Sequence, residues 1–217
     1  MNIPQLIKQT EEYVKDQLAH DTTGHDWFHI ERVRNMAREI AGIEQADVLV
    51  CTLAALLHDV ADEKLNPSKE AGLQKVRDWL EAQLEDREIT EHIMLIIETM
   101  SFSGGGGAPM QTLEGRVVQD ADRLDALGAI GITRTLVFSG AKGRPVYDPQ
   151  ISPRDESLKQ EYRDYSKGTA VNHFYEKLLK LKDLMNTDHG RELAEERHAF
   201  MLVFLEQFYK EWNEGSE

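Results

Sequence analysis

The chain has 217 residues and a formal net charge of −14. That length fits one domain with a sizeable core. The acid surplus argues against a general binder of nucleic-acid polymers or anionic membranes, although a metal with a few Lys or Arg can still draw in a small anionic substrate. The single cysteine, Cys51, excludes an internal disulfide and fits a reducing, cytoplasmic compartment. Residues 1–8 have no apolar core of signal-peptide length, and no stretch approaches the length of a transmembrane helix.

Ile3, Leu6, Ile7, Val14 and Leu18 recur at helical spacing, and Pro4 suits a first helical turn. Asp21-Thr22-Thr23-Gly24 breaks that pattern. Asp26 can cap a second helix with His29, Val33, Met36, Ala37 and Ile40 on one face and Gly42 as its stop. From Val48 to Leu57 only Thr52 interrupts the apolar run, which predicts a helix from about Gln45 to His58, buried on most of its faces. Asn66-Pro67-Ser68 is a turn, and Ser68, Ala71, Leu73, Val76, Trp79, Leu80 and Leu84 start the next helical pattern. Thr90 and His92 lead into Ile93, Ile96, Ile97 and Met100.

Ser101 to Pro109 is a loop built on Gly104 to Gly107. No Gly-Lys-Ser/Thr follows, so it reads as a flexible cover and not a P-loop. Leu113 to Leu127 is helical and holds an acidic cluster; Ala129 to Phe138 is a separate apolar helix; Gly140 to Pro153 is a loop. Phe174, Leu178, Leu179, Leu181 and Leu184 keep a helical period. Arg191 to Trp212 is a last amphipathic helix with Phe200, Phe204 and Phe208 in its core stripe. The fold class is all-α, with two long loops as substrate covers. The outer face of the last helix is not apolar enough to predict a dimer, which leaves the oligomeric state open.

Three regions carry polar residues that a helical core should not contain: His25 to His29, His58-Asp59, and Asp120 to Asp125. Burying imidazoles and carboxylates without partners costs several kcal/mol, roughly. A hydrogen-bonded cluster or a metal ion removes that cost. Two imidazoles and two carboxylates can supply four ligands, with positions left for water and a substrate oxygen. That mixed nitrogen and oxygen set suits octahedral Mn²⁺, Fe²⁺ or Mg²⁺.

His29-Ile30-Glu31-Arg32-Val33, Leu57-His58-Asp59 and Ala121-Asp122-Arg123-Leu124 together resemble the H…HD…D signature of the HD-domain metal-dependent phosphohydrolases. Asn172 to Leu178 and the final helix are similar to a bacterial nucleotide pyrophosphohydrolase subgroup. The resemblance implies one HD-type helical domain over residues 1–217, with a ligand-bearing core at about 20–130 and a C-terminal helical part at about 155–213. It implies one divalent ion held between core helices by His29, His58, Asp59 and Asp122, with Mn²⁺ expected and Mg²⁺ or Fe²⁺ as alternatives. The chain lacks the Gly-Tyr-Pro element of cyclic-di-nucleotide phosphodiesterases, and His58 to Glu63 only approximates the HDxxED of alarmone hydrolases.

The activity expected on this resemblance is hydrolysis of nucleoside triphosphates to monophosphate and pyrophosphate. A nucleoside 5′-monophosphatase and a nucleotide-sensing module without turnover are the alternatives. A two-iron oxygenase would need more histidine ligands, and His92 is the one obvious spare. Asp62 and Glu63 are the candidate catalytic carboxylates, orienting or deprotonating water. Arg32, Lys64, Arg123, Lys142 and Arg144 are candidate phosphate contacts, with His25 and His173 beside them. Asp120 and Asp125 are read as holding a ligand histidine or the helix end.

Overall fold

The computed structural model describes residues 2–19, 26–63, 65–100, 109–154 and 168–214, and among these there is no strand. The helices are α1 (Ile3–Leu18), α2 (Trp27–Glu44), α3 (Val48–Leu57), α4 (Lys69–Gln83), α5 (Arg87–Thr99), α6 (Leu113–Asp125), α7 (Gly128–Ala141), α8 (Ala170–Glu176) and α9 (Asp188–Trp212). Single 3₁₀ segments follow α3 (His58–Ala61) and α8 (Leu178–Leu184). The all-α expectation holds among the described residues. The chain divides into two compact units, Met1–Asp122 and Arg123–Glu217, with the division inside α6.

The first unit is built around α3. Asp47 caps it, accepting from the Leu49 and Val50 amides at 2.8 and 3.1 Å. Eight of its ten residues, Val50 to Leu57, are buried. Each fully buried Leu contributes about 1.5–3 kcal/mol, and α1, α2 and α5 all pack against this helix. The thiol of Cys51 is pushed up to about 12 by burial, then by the nearby Glu114 and Asp47 carboxylates, so it is no nucleophile.

Several ends differ from the sequence reading. α2 runs through Gly42 to Glu44 and stops at Gln45, which adopts the left-handed conformation at φ 59°. A non-glycine residue therefore takes the place that Gly42 was expected to fill. α5 starts at Arg87 because Asp86 caps it, accepting from the Glu88 and Ile89 amides. Thr112 caps α6 through the Gly115 amide.

α4 approaches the turn after α3 closely. A Cβ on Gly72 would lie 2.5 Å from the Ala61 carbonyl oxygen and 2.9 Å from its carbon. Both atoms are backbone, so no side chain can swing away.

In the second unit α7 and α9 pack together, and both α8 and α9 pack on the Leu178–Leu184 segment. The period from Phe174 to Leu184 is not one helix. It breaks at Lys177 (φ −137°, ψ −59°) and resumes as a 3₁₀ segment. The loop after α7 is fastened to α8: Asn172 Nδ2 donates to the Ile151 carbonyl at 2.8 Å, and the Ala170 and Val171 amides donate to the Pro145 and Val146 carbonyls. No described helix is long and apolar enough to cross a membrane.

Replacing Gly72 with Ala should destabilise the chain by about 1–3 kcal/mol. Urea unfolding followed by circular dichroism reads this directly, and an unchanged midpoint would contradict the close approach.

Candidate metal centre

His29, the His58-Asp59 pair and Asp122, drawn from the three polar regions noted in the sequence, converge within the first unit. Asp26 caps α2 by accepting from the His29 amide at 2.8 Å, which fixes the backbone of the helix start. His29 is the third residue of that helix, and its imidazole is 3 % exposed. His58 opens the 3₁₀ turn that ends α3, followed by Asp59; their side chains are 6 % and 10 % exposed. Asp122 lies on α6 and is the open member, with its side chain 39 % exposed.

His29 Nε2 stands 3.5 Å from Asp59 Oδ2 and 3.5 Å from Asp122 Oδ1. His58 Nε2 stands 3.2 Å from Asp59 Oδ1 and 4.0 Å from Asp122 Oδ1. The two rings meet edge to face, with centroids 5.5 Å apart. An octahedral ion with bonds of about 2.1 Å spaces neighbouring ligands about 3 Å apart and opposite ligands about 4.2 Å apart. The four measured separations fall inside that bracket. The ligand atoms of His29, His58 and Asp59 all lie within 4.8 Å of one another.

The donor chemistry fits a cation. His58 Nδ1 is 2.8 Å from the Ala55 carbonyl oxygen, which can only accept, so Nδ1 carries the proton. Nε2 then presents a lone pair, is buried, and makes no hydrogen bond. A buried lone pair facing carboxylate oxygens is repulsive unless a cation lies between them. His29, His58, Asp59 and Asp122 could therefore hold one divalent ion, with coordination positions open on the exposed Asp122 side.

The other candidates lie at varied places. Arg32 is half-buried on α2, in the same unit. Asp62 ends the 3₁₀ turn, half-buried; its amide donates to the Asp59 carbonyl and its own carbonyl accepts from Asn66 Nδ2 at 2.9 Å. Glu63 is exposed. His25, Lys64 and the glycines from Gly104 to Gly107 lie outside the described residues. Arg123 donates to the Leu184 carbonyl, which gives it a structural use. Asp125 accepts from Arg134 at 2.7 Å, and Asp120 is fully buried. His92 faces Glu114 at 3.4 Å, apart from the cluster.

Residues 27–127 match the HD domain family. An HD-superfamily hydrolase from Bacillus thuringiensis shares 49 % identity, with 98 % of this chain and 99 % of that one covered at a TM-score of 0.79. The chain belongs to the HD-domain superfamily of metal-dependent phosphohydrolases. A Lactobacillus plantarum protein of this kind of fold is 44 % identical, with a TM-score of 0.81 over 96 % of this chain and 97 % of the other. Bacillus subtilis YpgQ is 41 % identical over 210 residues, 94 % of each chain. Its structure in complex with ADP superposes with a TM-score of 0.78 at 39 % identity, covering 97 % of both.

Two further sequence candidates, Arg144 and His173, belong to the second unit. Glu176 is buried there and takes Arg154 in a fork: the Arg154 amide and Nε donate to Oε1 at 2.9 and 3.0 Å, and Nη2 to Oε2 at 2.6 Å. Burial pushes the Glu176 carboxyl up, but these bonds outweigh it and hold it below its ordinary value. His173 is brought down to about 4, first by burial and then by Lys177, against an opposing pull from Glu176; Arg144 and Arg154 add to the lowering. The folded chain therefore keeps His173 neutral, whereas the unfolded chain protonates it below about pH 6.5. Its contribution to stability is present above about 6.5 and lost as the pH falls toward 4. Replacing His173 with Gln should flatten the fall in stability between those values, read as the wild-type-minus-variant difference in urea unfolding across the range. A difference that stays constant with pH would refute the burial of a neutral ring.

Proposed function

We propose that this chain is a divalent-metal-dependent nucleotide phosphohydrolase that releases pyrophosphate from nucleoside triphosphates. The observation that carries this reading is the convergence of His29, His58, Asp59 and Asp122, with the His58 Nε2 lone pair aimed at carboxylates. The YpgQ structure with ADP supports a nucleotide as ligand, because that relative resembles this chain over almost its whole length. Mn²⁺ is the ion we assign, since two imidazoles and two carboxylates with open positions suit it.

A divalent ion at such a site lowers the pKa of water toward neutrality and draws charge from a phosphoryl oxygen. The protein's own groups do the rest. The Ala55 carbonyl keeps the His58 proton on Nδ1, so the ring cannot swing or donate at the wrong atom. Asp59 and Asp122 supply the negative charge that makes a cation welcome among buried groups. Asp62, fixed by the turn and by Asn66, is assigned as the carboxylate that orients or takes a proton from the attacking water, ahead of the exposed Glu63. Arg32 is assigned to the phosphate chain, as the cation three residues after His29 on the same helix. A small anionic substrate also suits a net charge of −14, because the positive potential it needs is local.

The test is a hydrolysis screen on metal-stripped protein given Mn²⁺, Mg²⁺ or no metal, with pyrophosphate and phosphate detected separately. The expected result is Mn²⁺-dependent pyrophosphate release from triphosphates, abolished by Asp59→Ala with the helical circular dichroism retained. Asp62→Asn should lower kcat far more than Glu63→Gln does. Phosphate release from monophosphates would favour the monophosphatase. Nucleotide binding without any product would favour the sensing module. Full turnover in the Asp59 variant would refute the ligand assignment.

A further inference from the structure

α3 and α6 touch near their starts and meet again at their ligand-bearing ends, so they run in the same direction. Cys51 and Glu114 mark where they are level: the Cys51 thiol donates to the Glu114 carbonyl at 3.9 Å. Burial, then the Glu114 and Asp47 carboxylates, push that thiol up to about 12, so it stays protonated as a donor. Asp59 lies eight residues after Cys51, and Asp122 lies eight residues after Glu114. Eight residues climb about 12 Å of α-helix, and the 3₁₀ turn at Asp59 adds about 1 Å. Both carboxylates therefore arrive at one height, where His29 Nε2 stands 3.5 Å from each.

The starting ends are fastened by the Glu114 side chain. Asp47 caps α3 with its carboxylate, which leaves its own amide to be satisfied. In a capping box, a Glu or Gln three residues after the cap takes that amide. Val50 holds that position in α3, and its side chain has no acceptor. Glu114 Oε1 accepts from the Asp47 amide instead, at 3.0 Å, from a different helix. Glu114 is the second residue of α6, so one carboxylate serves the positive N-terminal ends of both helices. Its Oε2 faces His92 Nε2 of α5 at 3.4 Å, and its side chain is only 16 % exposed.

We propose that Glu114 is a positioning residue of the metal centre: by joining the Asp47 amide to α6, it sets the height of Asp122 against His29 and His58. It touches neither ion nor substrate and acts through Asp122, which rests on the reading of His29, His58, Asp59 and Asp122 as the ligands.

Mn²⁺ titration of the metal-stripped chain, followed by the paramagnetic resonance signal of the free ion, tests this. Glu114→Ala should weaken binding about tenfold, as loss of a group supporting a ligand does, with the helical circular dichroism retained. Glu114→Gln keeps an oxygen acceptor for the Asp47 amide and should bind within about twofold of the wild type. Asp122→Ala should weaken binding by itself. Adding Glu114→Ala to it should then change affinity by less than about twofold, because the group that Glu114 positions is gone. Equal weakening by the Ala and Gln variants would overturn the proposal, since charge and not the hydrogen bond would be responsible. Wild-type affinity in Glu114→Ala would overturn it too, as would an undiminished further loss in the Asp122→Ala background. Asp59→Ala separates the two levels. If it binds Mn²⁺ as the wild type does, the ligand set fails and the role of Glu114 falls with it. If it binds weakly while Glu114→Ala binds normally, the role of Glu114 alone fails.

Discussion

The His58 Nδ1 contact with the Ala55 carbonyl, at 2.8 Å, fixes the chemistry of the site. A carbonyl accepts and cannot donate, so the proton is on Nδ1 and the other nitrogen is left as a ligand lone pair. The contact lies within the last turn of α3, whose remaining residues from Val50 to Leu57 are buried on every side. Packing of that helix holds the carbonyl in place, and the carbonyl holds the ring. At the same point the chain tightens into a 3₁₀ turn, and the Asp62 amide bonds back to the Asp59 carbonyl at 3.0 Å. A 3₁₀ turn sets successive residues about 120° apart, close to the α-helical spacing. His58 and Asp59 still converge, with Nε2 and Oδ1 3.2 Å apart.

The same geometry carries an electrostatic cost. His29, His58 and Asp59 are nearly enclosed, and Asp59 and Asp122 bring carboxylate charge close to two imidazoles. Enclosing such groups without compensation costs several kcal/mol, roughly. A divalent ion offsets that cost, so metal binding and stability of the first unit are linked. The exposed edge of Asp122 keeps the centre accessible while its other members stay dry. Gly72 supports the arrangement from outside, because its missing side chain lets α4 close onto Ala61, two residues after Asp59.

The sequence makes the metal cluster legible for a physical reason. An apolar run without glycine or proline that ends in His-Asp leaves few places for those two side chains, and α3 proved as buried as that run implied. The cap at Asp26 was also readable, since a short polar side chain at the start of a helical period has a defined acceptor role. Other features had no such signal. The tautomer-setting partner of His58 is a backbone carbonyl, which any residue at position 55 would present. The stop of α2 at Gln45 is a left-handed residue that glycine would fill more easily, so Gly42 misled. Asp125 belongs to Arg134 through a contact across nine residues that periodicity does not encode. Phe200 keeps the spacing of a core residue, yet Phe174 and Phe208 engage Phe204 and leave it outside.

The most direct measurement of the central claim is electron spin-echo spectroscopy of the chain loaded with Mn²⁺, read for nitrogen couplings. One bound ion per chain coupled to two imidazole nitrogens is the predicted result. His58→Gln and His29→Gln should each remove one coupling, while the helical circular dichroism remains. An ion that shows no imidazole coupling, or couplings that survive both substitutions, would place the metal elsewhere and contradict the account.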